Sequence, residues 1–165
     1  MKIKKLELEF QEFEKNEDLD EGVEEMIHNA REATKMAYAP YSLYKVGAAV
    51  RLSNGKVIKG SNQENVAYPS GMCAERVALY AASSQYPDEE VESIAVTVDH
   101  HFETVNEVFS PCGACRQVMA EIEAKSGNEL EVIVHAPNGI TRIFKGINHL
   151  LPFSFNNAGL NKLNK

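Results

Sequence analysis

The chain has few cysteines, a deficit of basic residues and no long apolar run, and each shortage disfavours a class of protein. Its three cysteines are an odd number, which argues against a disulfide framework. With 17 lysines and arginines against 24 acidic residues, the formal net charge is −7, which disfavours binding to a polynucleotide. No apolar run approaches the roughly 20 residues that cross a bilayer, and the amino-terminal sequence MKIKKLELEF lacks a signal-peptide core. We therefore expect a cytoplasmic protein that acts on a small molecule, without nucleic-acid or membrane partners.

The remaining composition is that of a folded globular domain. Hydrophobic residues make up 44% and charged residues 25% of the 165 residues, and this length suggests one domain. Residues 1–20 are rich in acidic side chains, and we expect them to be a solvated amino-terminal extension. Residues 21–165 are expected to form the single domain that carries the activity.

Hydrophobic periodicity and turn residues predict alternating helices and strands. Asp20 is a candidate N-cap for the first helix, and Asn54-Gly55 predicts a β-hairpin. The order of the elements predicts a layered α/β domain with a mixed sheet of about five strands. The predicted helices span residues 21–38, 73–84 and 111–125, and the predicted strands span residues 46–52, 56–60, 94–98, 130–135 and 140–145.

Cys112 and Cys115 stand three residues apart, directly after Pro111, a residue type that often opens a helix. Side chains at positions i and i+3 of a helix share a face, so both sulfurs can bind one ion about 2.3 Å away. The free N–H groups and the dipole at the helix start favour the thiolate, which is the form that binds metal. Taken alone, this pair also fits half of a structural zinc site or a thioredoxin-like redox pair.

Cys73 lies at the predicted start of another helix and supplies a third thiolate. Structural zinc sites have four protein ligands, whereas catalytic sites often keep the fourth position for water. The sequence has no fourth cysteine, so the count favours an open zinc site. The alternative is that His100 or His101, which shortly precede Pro111, closes the site.

Glu75 lies two residues after Cys73, so its side chain points in a different direction from the ligand. A carboxylate beside the open metal position could take a proton from water there and return it to a substrate. We expect Glu75 to be this catalytic acid–base group. The alternative is a first-turn glutamate that only stabilises the helix dipole.

Cys-Ala-Glu at positions 73–75, followed by Pro-Cys-x-x-Cys at positions 111–115, resembles the signature of the zinc deaminases. Three further motifs narrow the resemblance: Ala-Pro-Tyr-Ser at 39–42, Val-Gly-Ala-Ala at 46–49 and Glu-Asn at 64–65. Together they are similar to the cytidine deaminase family, in its small homotetrameric branch with three zinc-binding cysteines. The resemblance covers roughly residues 24–155.

The resemblance implies an α/β/α fold and one zinc ion per chain, held by Cys73, Cys112 and Cys115. It implies hydrolysis of cytidine and deoxycytidine to uridine and deoxyuridine with release of ammonia, a step of pyrimidine nucleoside salvage. Zinc would acidify a water molecule, and Glu75 would carry its proton to the ring. The resemblance also implies a homotetramer whose sites lie at subunit interfaces.

The substrate contacts of the family match four residues of this chain. Asn62 and Glu64 match residues that bind the sugar 3′-hydroxyl, and a carboxylate there would repel a phosphate, which favours free nucleosides. Tyr44 stands where the family usually has a phenylalanine near the bound nucleoside. Phe155 matches an aromatic residue that stacks on the base in a neighbouring subunit's site, and Phe153 close by is the alternative.

Arg76 and Arg116 each directly follow a residue of the metal motifs. Three thiolates carry more charge than Zn²⁺, and hydrogen bonds from one or both arginines to the sulfurs would restore the acidity of the metal. The resemblance supports Arg76 more than Arg116 in this role.

The sequence leaves three alternative functions open. They are deamination of another amine-bearing compound, a non-catalytic zinc module with a closed metal site, and nucleic-acid editing, which the acidic charge disfavours.

Overall fold

The computed structural model describes residues 1–14, 19–99 and 109–156. Three α-helices and six β-strands alternate along this described part, with short 3-10 helices at Tyr68–Ser70 and Ile147–His149. In chain order the main elements are β1 (Gln11–Phe13), α1 (Glu21–Thr34), β2 (Lys45–Leu52), β3 (Val57–Ser61), α2 (Ala74–Gln85), β4 (Val91–Asp99), α3 (Gly113–Ser126), β5 (Glu131–His135) and β6 (Thr141–Lys145).

The strands form one mixed sheet in the order β1-β6-β5-β4-β2-β3. Strands β4 and β5 are parallel, and the other neighbouring pairs are antiparallel. The predicted mixed sheet is therefore confirmed, with one strand more than the five expected. The additional strand, β1, has only three residues and pairs with β6, with Gln11 opposite Ile143. A strand this short does not offer the four or more alternating residues that would predict it from sequence.

Helices cover both faces of the sheet and give three layers. Side chains alternate between the two faces along β2, so Ala49 packs towards α1 whereas Ala48 and Val50 pack towards α2 and α3. No helix in the described part of the chain has the length and apolarity needed to cross a membrane. The core on the α1 side contains Val23, Met26, Ile27, Ala30, Ala95, Ile133 and Ile143, and the core on the other side includes Ala78, Leu79, Met119, Ile94, Val96, Val132 and Val134.

Helix α1 begins at the predicted position but ends earlier than predicted. Asp20 caps it, since the Asp20 Oδ1 accepts a hydrogen bond of 2.8 Å from an N–H of the first turn. The helix ends at Thr34 and not at Tyr38. The Tyr38 N–H donates to the carbonyl of Asn62 at 3.0 Å, and its carbonyl accepts from the N–H of Glu64 at 2.8 Å. These long-range bonds replace the helical pattern and attach the chain after α1 to the loop after β3.

Helix α2 lies directly on the backbone of β3, and Gly60 permits this close approach. A Cβ at position 60 would stand 2.5 Å from the nitrogen of Ala78 and 2.6 Å from the carbonyl oxygen of Ala74. Both are backbone atoms of α2, which cannot rotate out of the way as a side chain would. The glycine therefore fixes how closely the first turns of α2 approach the sheet.

We expect Gly60→Ala to lower the free energy of unfolding by about 1–3 kcal/mol, because overpacking forces α2 away from β3. The start of α2 would move with it and disturb any site built there. Urea unfolding of the two proteins measures the effect. The matched control is Gly113→Ala, since a Cβ at position 113 meets nothing within 4 Å and the backbone there is helical. Equal unfolding midpoints for Gly60→Ala and the unsubstituted chain would contradict the packing argument.

Candidate active site and metal centre

A cavity of about 810 Å³ opens where α2 and α3 begin. Its walls come from the segment before β2, the loop after β3 and the starts of both helices. Most of the site residues predicted from the sequence line this one cavity, although they come from three separate parts of the chain. They are Tyr44, Asn62, Glu64, Cys73, Glu75, Arg76 and Cys112.

Three cysteine sulfurs form a compact cluster at the base of these walls. The Cys112 Sγ lies 3.9 Å from the Cys73 Sγ and 3.5 Å from the Cys115 Sγ, and all three lie within 4.8 Å of one another. Tetrahedral binding with Zn–S distances of about 2.3 Å requires sulfur separations of about 3.8 Å. Both the chemistry of the donors and their spacing therefore fit a zinc ion.

The helix starts place these sulfurs. Cys73 is the N-cap of α2 and Cys112 is the N-cap of α3, and both have extended backbone conformations. Neither cysteine side chain caps its own helix, which leaves both sulfurs available to a metal. Cys115 lies in the first turn of α3 and is fully buried. The N–H groups and dipoles of two helix starts thus favour negative charge on the cluster.

Cys73 and Cys115 shift each other's pKa in opposite directions. Hydrogen bonding from Cys115, supported by Arg76, lowers the pKa of Cys73 to about 5 although burial opposes the shift. Hydrogen bonding to Cys73 and burial raise the pKa of Cys115 above its usual value. Without a cation, a Cys73 thiolate is therefore flanked by a neutral thiol. Zinc binds cysteine as the thiolate, so binding of the ion at this cluster would release protons.

The metal-ligand group found among residues 1–14, 19–99 and 109–156 consists of the three cysteines, without a fourth side chain. If these three cysteines of the described part hold the ion, a tetrahedral site would keep one position for water. The alternative ligands His100 and His101 lie outside the described residues.

Glu75 lines the same cavity in the first turn of α2. Its side chain is only 5% exposed. Burial raises the pKa of Glu75, and the charge of Cys73 adds to the rise, while hydrogen bonding from the Glu75 backbone N–H partly offsets it. A buried carboxylate with a raised pKa is better suited to accept and return a proton near neutral pH than an exposed glutamate.

The two candidate arginines have different partners. The Arg76 Nη2 donates to the Cys73 Sγ at 3.6 Å, while its buried Nε has no hydrogen-bond partner among the described residues. Arg116 instead donates to three oxygens: the carbonyls of Pro111 and Leu150, both at 2.7 Å, and the hydroxyl of Ser110 at 3.0 Å. Arg76 is therefore placed to act on the metal ligands, whereas Arg116 ties the start of α3 to the carboxy-terminal segment.

Asn62 and Glu64 hold the opposite wall of the cavity. The Asn62 amide accepts from the N–H of Val46 and donates to the carbonyl of Tyr44, both at 2.8 Å. The Glu64 carboxylate accepts from the Ser42 hydroxyl and from two backbone N–H groups, one of them from Ser42 at 3.3 Å. These hydrogen bonds lower the pKa of Glu64, so it remains a carboxylate. Both residues thus fix the segment that carries Tyr44, in addition to facing the cavity.

The two predicted aromatic contacts have different positions. Tyr44 is half-buried in the cavity, where burial, and then the charge of Glu75, raises the pKa of its phenol and keeps it protonated. Phe155 does not line this cavity and is 77% exposed, and Phe153 is 87% exposed. Within one chain, the structure therefore brings Tyr44 to the site but not the carboxy-terminal aromatics.

Two residues without a role predicted from the sequence form hydrogen bonds with predicted site residues. Ser42 donates to Glu64 and accepts from the N–H of Tyr44 at 3.0 Å. It belongs to the Ala-Pro-Tyr-Ser motif, so its position in that motif was the available signal. Gln117 forms two hydrogen bonds with the backbone of Phe155. No local pattern predicts a contact between residues so far apart in the sequence.

The fold and the site together define an α/β/α zinc protein with a three-thiolate centre that opens into a cavity beside a buried carboxylate. The model of the cytidine and deoxycytidylate deaminase zinc-binding region matches residues 20–127. The chain belongs to this family.

Relatives with known names and structures agree with this assignment. A cytidine deaminase of Halalkalibacterium halodurans is 45% identical over 97 residues, which cover 59% of this chain and 69% of the relative. A probable cytidine deaminase of Dictyostelium discoideum is 35% identical over 141 residues, which cover 85% and 88%. The crystal structure of cytidine deaminase from Burkholderia pseudomallei superposes with a TM-score of 0.68 at 38% identity, covering 80% of this chain and 98% of the other.

Proposed function

We propose that this protein catalyses the zinc-dependent hydrolytic deamination of cytidine and deoxycytidine to uridine and deoxyuridine, with release of ammonia. The observation that carries the proposal is the three-sulfur cluster beside the buried carboxylate of Glu75 in one cavity. The relatives named cytidine deaminase support the choice of substrate. The reaction belongs chemically to pyrimidine nucleoside salvage.

The residues of the chain divide the catalytic work. Cys73, Cys112 and Cys115 would hold a zinc ion, which would act as a Lewis acid and lower the pKa of water towards neutrality. The Glu75 carboxylate accepts a proton from the attacking water and delivers it to ring nitrogen N3, which makes C4 more electrophilic. After hydroxide has added to C4, Glu75 takes the proton of the new C4 hydroxyl and passes it to the amine, so that the bond between C4 and the amine nitrogen breaks, ammonia leaves and C4 becomes a carbonyl.

The polar wall of the cavity provides recognition of the sugar. The Glu64 carboxylate accepts hydrogen bonds from the loop at residues 41–42 and keeps further lone pairs for a ligand. It would accept from a free 3′-hydroxyl and repel a phosphate at the same position. Asn62 uses one of its two amide hydrogens on the carbonyl of Tyr44, which leaves the other for a hydroxyl. This arrangement favours nucleosides over phosphodiester-linked chains.

The assembly and the organisation of the chain form part of the proposal. We assign the reaction to residues 21–165 and regard residues 1–20 as an extension whose strand β1 lengthens the sheet edge. A homotetramer would cover the exposed rings of Phe153 and Phe155 and complete each site with a neighbour's aromatic residue. The acidic net charge of −7 favours small substrates over nucleic-acid partners. We also assign the enzyme to the cytoplasm, without a membrane partner. A native mass equal to the mass of a single chain would contradict the proposed homotetramer.

A panel of amine-bearing substrates tests the activity. We expect ammonia release from cytidine and deoxycytidine, with a parallel fall in ultraviolet absorbance, and about one zinc ion per chain in the purified protein. Cytidine 3′-phosphate is the matched control, because it differs from cytidine only in the group that Glu64 would repel. Absence of turnover of both nucleosides by the zinc-loaded protein would refute the proposal. Turnover of another aminopyrimidine in their place would show a deaminase with a different substrate.

A further inference from the structure

The amino-terminal segment is attached to the edge of the sheet. β1 is the outermost strand, beside β6, in the sheet that residues 1–14, 19–99 and 109–156 form. The ring centroids of Phe10 and Phe144 lie 5.3 Å apart, which continues the β1–β6 register by one residue. One residue further, the Glu9 N–H donates to the His149 Nδ1 at 3.0 Å. These contacts hold the chain against the sheet edge as far as Glu9.

This attached segment leaves an apolar stripe in solvent. Leu6, Leu8 and Phe10 are 59%, 52% and 49% exposed. They alternate with Glu7 and Glu9, as the side chains on one face of an extended strand do. The outer edge of β1 also carries N–H and C=O groups that pair with no strand of the described part. An apolar stripe beside an open strand edge is typical of a surface to which a further strand is added.

We infer that this segment pairs antiparallel with the same segment of a second copy of this chain, with Leu8 facing Leu8 on a two-fold axis. Such an axis closes the contact after two copies, whereas pairing with β3 at the opposite sheet edge would leave free edges for further copies. The inference goes beyond the proposed function, because none of residues 1–14 lines the cavity. It also does not involve the exposed rings of Phe153 and Phe155.

The sequence favours an axis through Leu8 over the neighbouring positions. An axis through Glu7 or Glu9 would place two carboxylates opposite each other, which is unfavourable. An axis through Leu6 would place Leu8 opposite Lys4. With the axis through Leu8, apolar residues face apolar residues and charges face the opposite charge on one side of the paired sheet. The pairs on that side are Leu8 with Leu8, Leu6 with Phe10, Lys4 with Glu12, and Lys2 with Glu14.

Glu12 can take part in this pairing although it has a partner in its own chain. The Arg142 Nε lies 2.5 Å from the Glu12 Oε2, and the Glu12 side chain is still 42% exposed. A carboxylate has two oxygens, so it can accept from a second cation as well. The other side of the paired sheet contains one mismatch, because Glu7 faces Glu9 there.

Two lysine substitutions at adjacent positions should have opposite effects. Leu8→Lys places two ammonium groups face to face on the axis, and we expect the dissociation constant of the pair to rise about tenfold. Glu7→Lys turns the repulsion with Glu9 into attraction, and we expect the dissociation constant to fall about threefold. Sedimentation equilibrium of the full chains measures both constants, with zinc content and the unfolding midpoint as controls for folding. Effects in the same direction, or an unchanged dissociation constant in Leu8→Lys, would overturn the inference.

Disulfide formation tests the register. The Cβ atoms of directly opposed residues on antiparallel strands lie about 4.5–5.5 Å apart, so that small shifts allow a disulfide. We expect Leu8→Cys to form a covalent dimer with oxidised glutathione, which is reduced to two thiols as the two cysteines are oxidised. Leu6→Cys is the matched control, because Leu6 faces Phe10 and should not crosslink with itself. The unsubstituted chain reports any crosslinking through its own cysteines.

The two substituted chains give a clear decision on a non-reducing gel. A covalent dimer of Leu8→Cys, with Leu6→Cys remaining a single chain, supports the inference. Absence of crosslinking in both variants, or crosslinking of Leu6→Cys at least as fast as that of Leu8→Cys, would overturn it. A protein that crosslinks at Leu8→Cys but does not deaminate cytidine would refute the proposed function alone. An active enzyme in which Leu8→Cys does not crosslink would refute the pairing alone.

Discussion

Replacing Glu75 with alanine is expected to lower kcat for cytidine by about 100- to 10,000-fold while one zinc ion per chain is retained. Loss of a positioned acid–base group typically costs this much. Glu75 is not a member of the sulfur cluster, so its removal leaves the three metal ligands in place. Single-turnover kinetics and metal analysis of the same preparation measure the two quantities together.

Glu75→Gln is the matched variant, because it keeps the volume of the buried side chain and removes only its ability to carry a proton. We expect its kcat to fall nearly as far as that of Glu75→Ala. Retention of more than a tenth of the kcat of the unsubstituted enzyme by either variant would remove Glu75 from the role of proton carrier. Loss of zinc from both variants would show instead that Glu75 supports the metal centre.

The metal centre could be predicted because its parts are local sequence features. The i, i+3 spacing of Cys112 and Cys115 and the helix start after Pro111 define half of the site without any tertiary information. Cys73 follows the same logic at another helix start, and the structure brings its sulfur to the other two. Local sequence patterns do not predict that the starts of α2 and α3 meet at one point. That expectation came from the family resemblance.

Contacts between distant backbone segments could not be predicted in the same way. The apolar stripe of α1 continues to residue 37, yet the bonds of Tyr38 with the chain at Asn62 and Glu64 end the helix early. Likewise, the family resemblance implied that Asn62 and Glu64 bind the sugar, but only the fold shows their hydrogen bonds to the segment around Tyr44. Such bonds depend on which loops meet, and periodicity carries no information about that.

Adjacency to a motif also proved a poor guide to a side chain's partner. Arg76 and Arg116 occupy similar places after the metal motifs, yet only Arg76 bonds a sulfur. Arg76 lies three residues after Cys73 and Arg116 lies four residues after Cys112, so helical spacing would allow either arginine to reach the sulfur of an N-cap cysteine. The difference comes from the oxygens of Ser110, Pro111 and Leu150 that surround Arg116, and Leu150 reaches it only through the tertiary fold.

The metal centre should also stabilise the fold, and Cys112→Ala tests this together with activity. Removing this N-cap sulfur leaves two thiolates, so we expect zinc affinity to fall by more than the roughly 10- to 100-fold that loss of an outer hydrogen-bond partner costs, and deamination to be lost. Arg76→Gln is a milder variant for comparison with Cys112→Ala, because it removes a hydrogen bond to the Cys73 Sγ and keeps all three cysteine ligands. We expect it to lose zinc affinity within that 10- to 100-fold range.

Thermal unfolding with and without a chelator shows whether zinc joins α2 to α3. A ligand that binds only the folded state raises the apparent stability, so chelation should lower the Tm of the unsubstituted chain and of Arg76→Gln. In Cys112→Ala, the chelator should have little effect, because the link between the two helix starts is already missing. A Tm that is insensitive to the chelator in the unsubstituted, zinc-loaded protein would mean that the three sulfurs do not hold the ion, and the proposed chemistry would lose its basis.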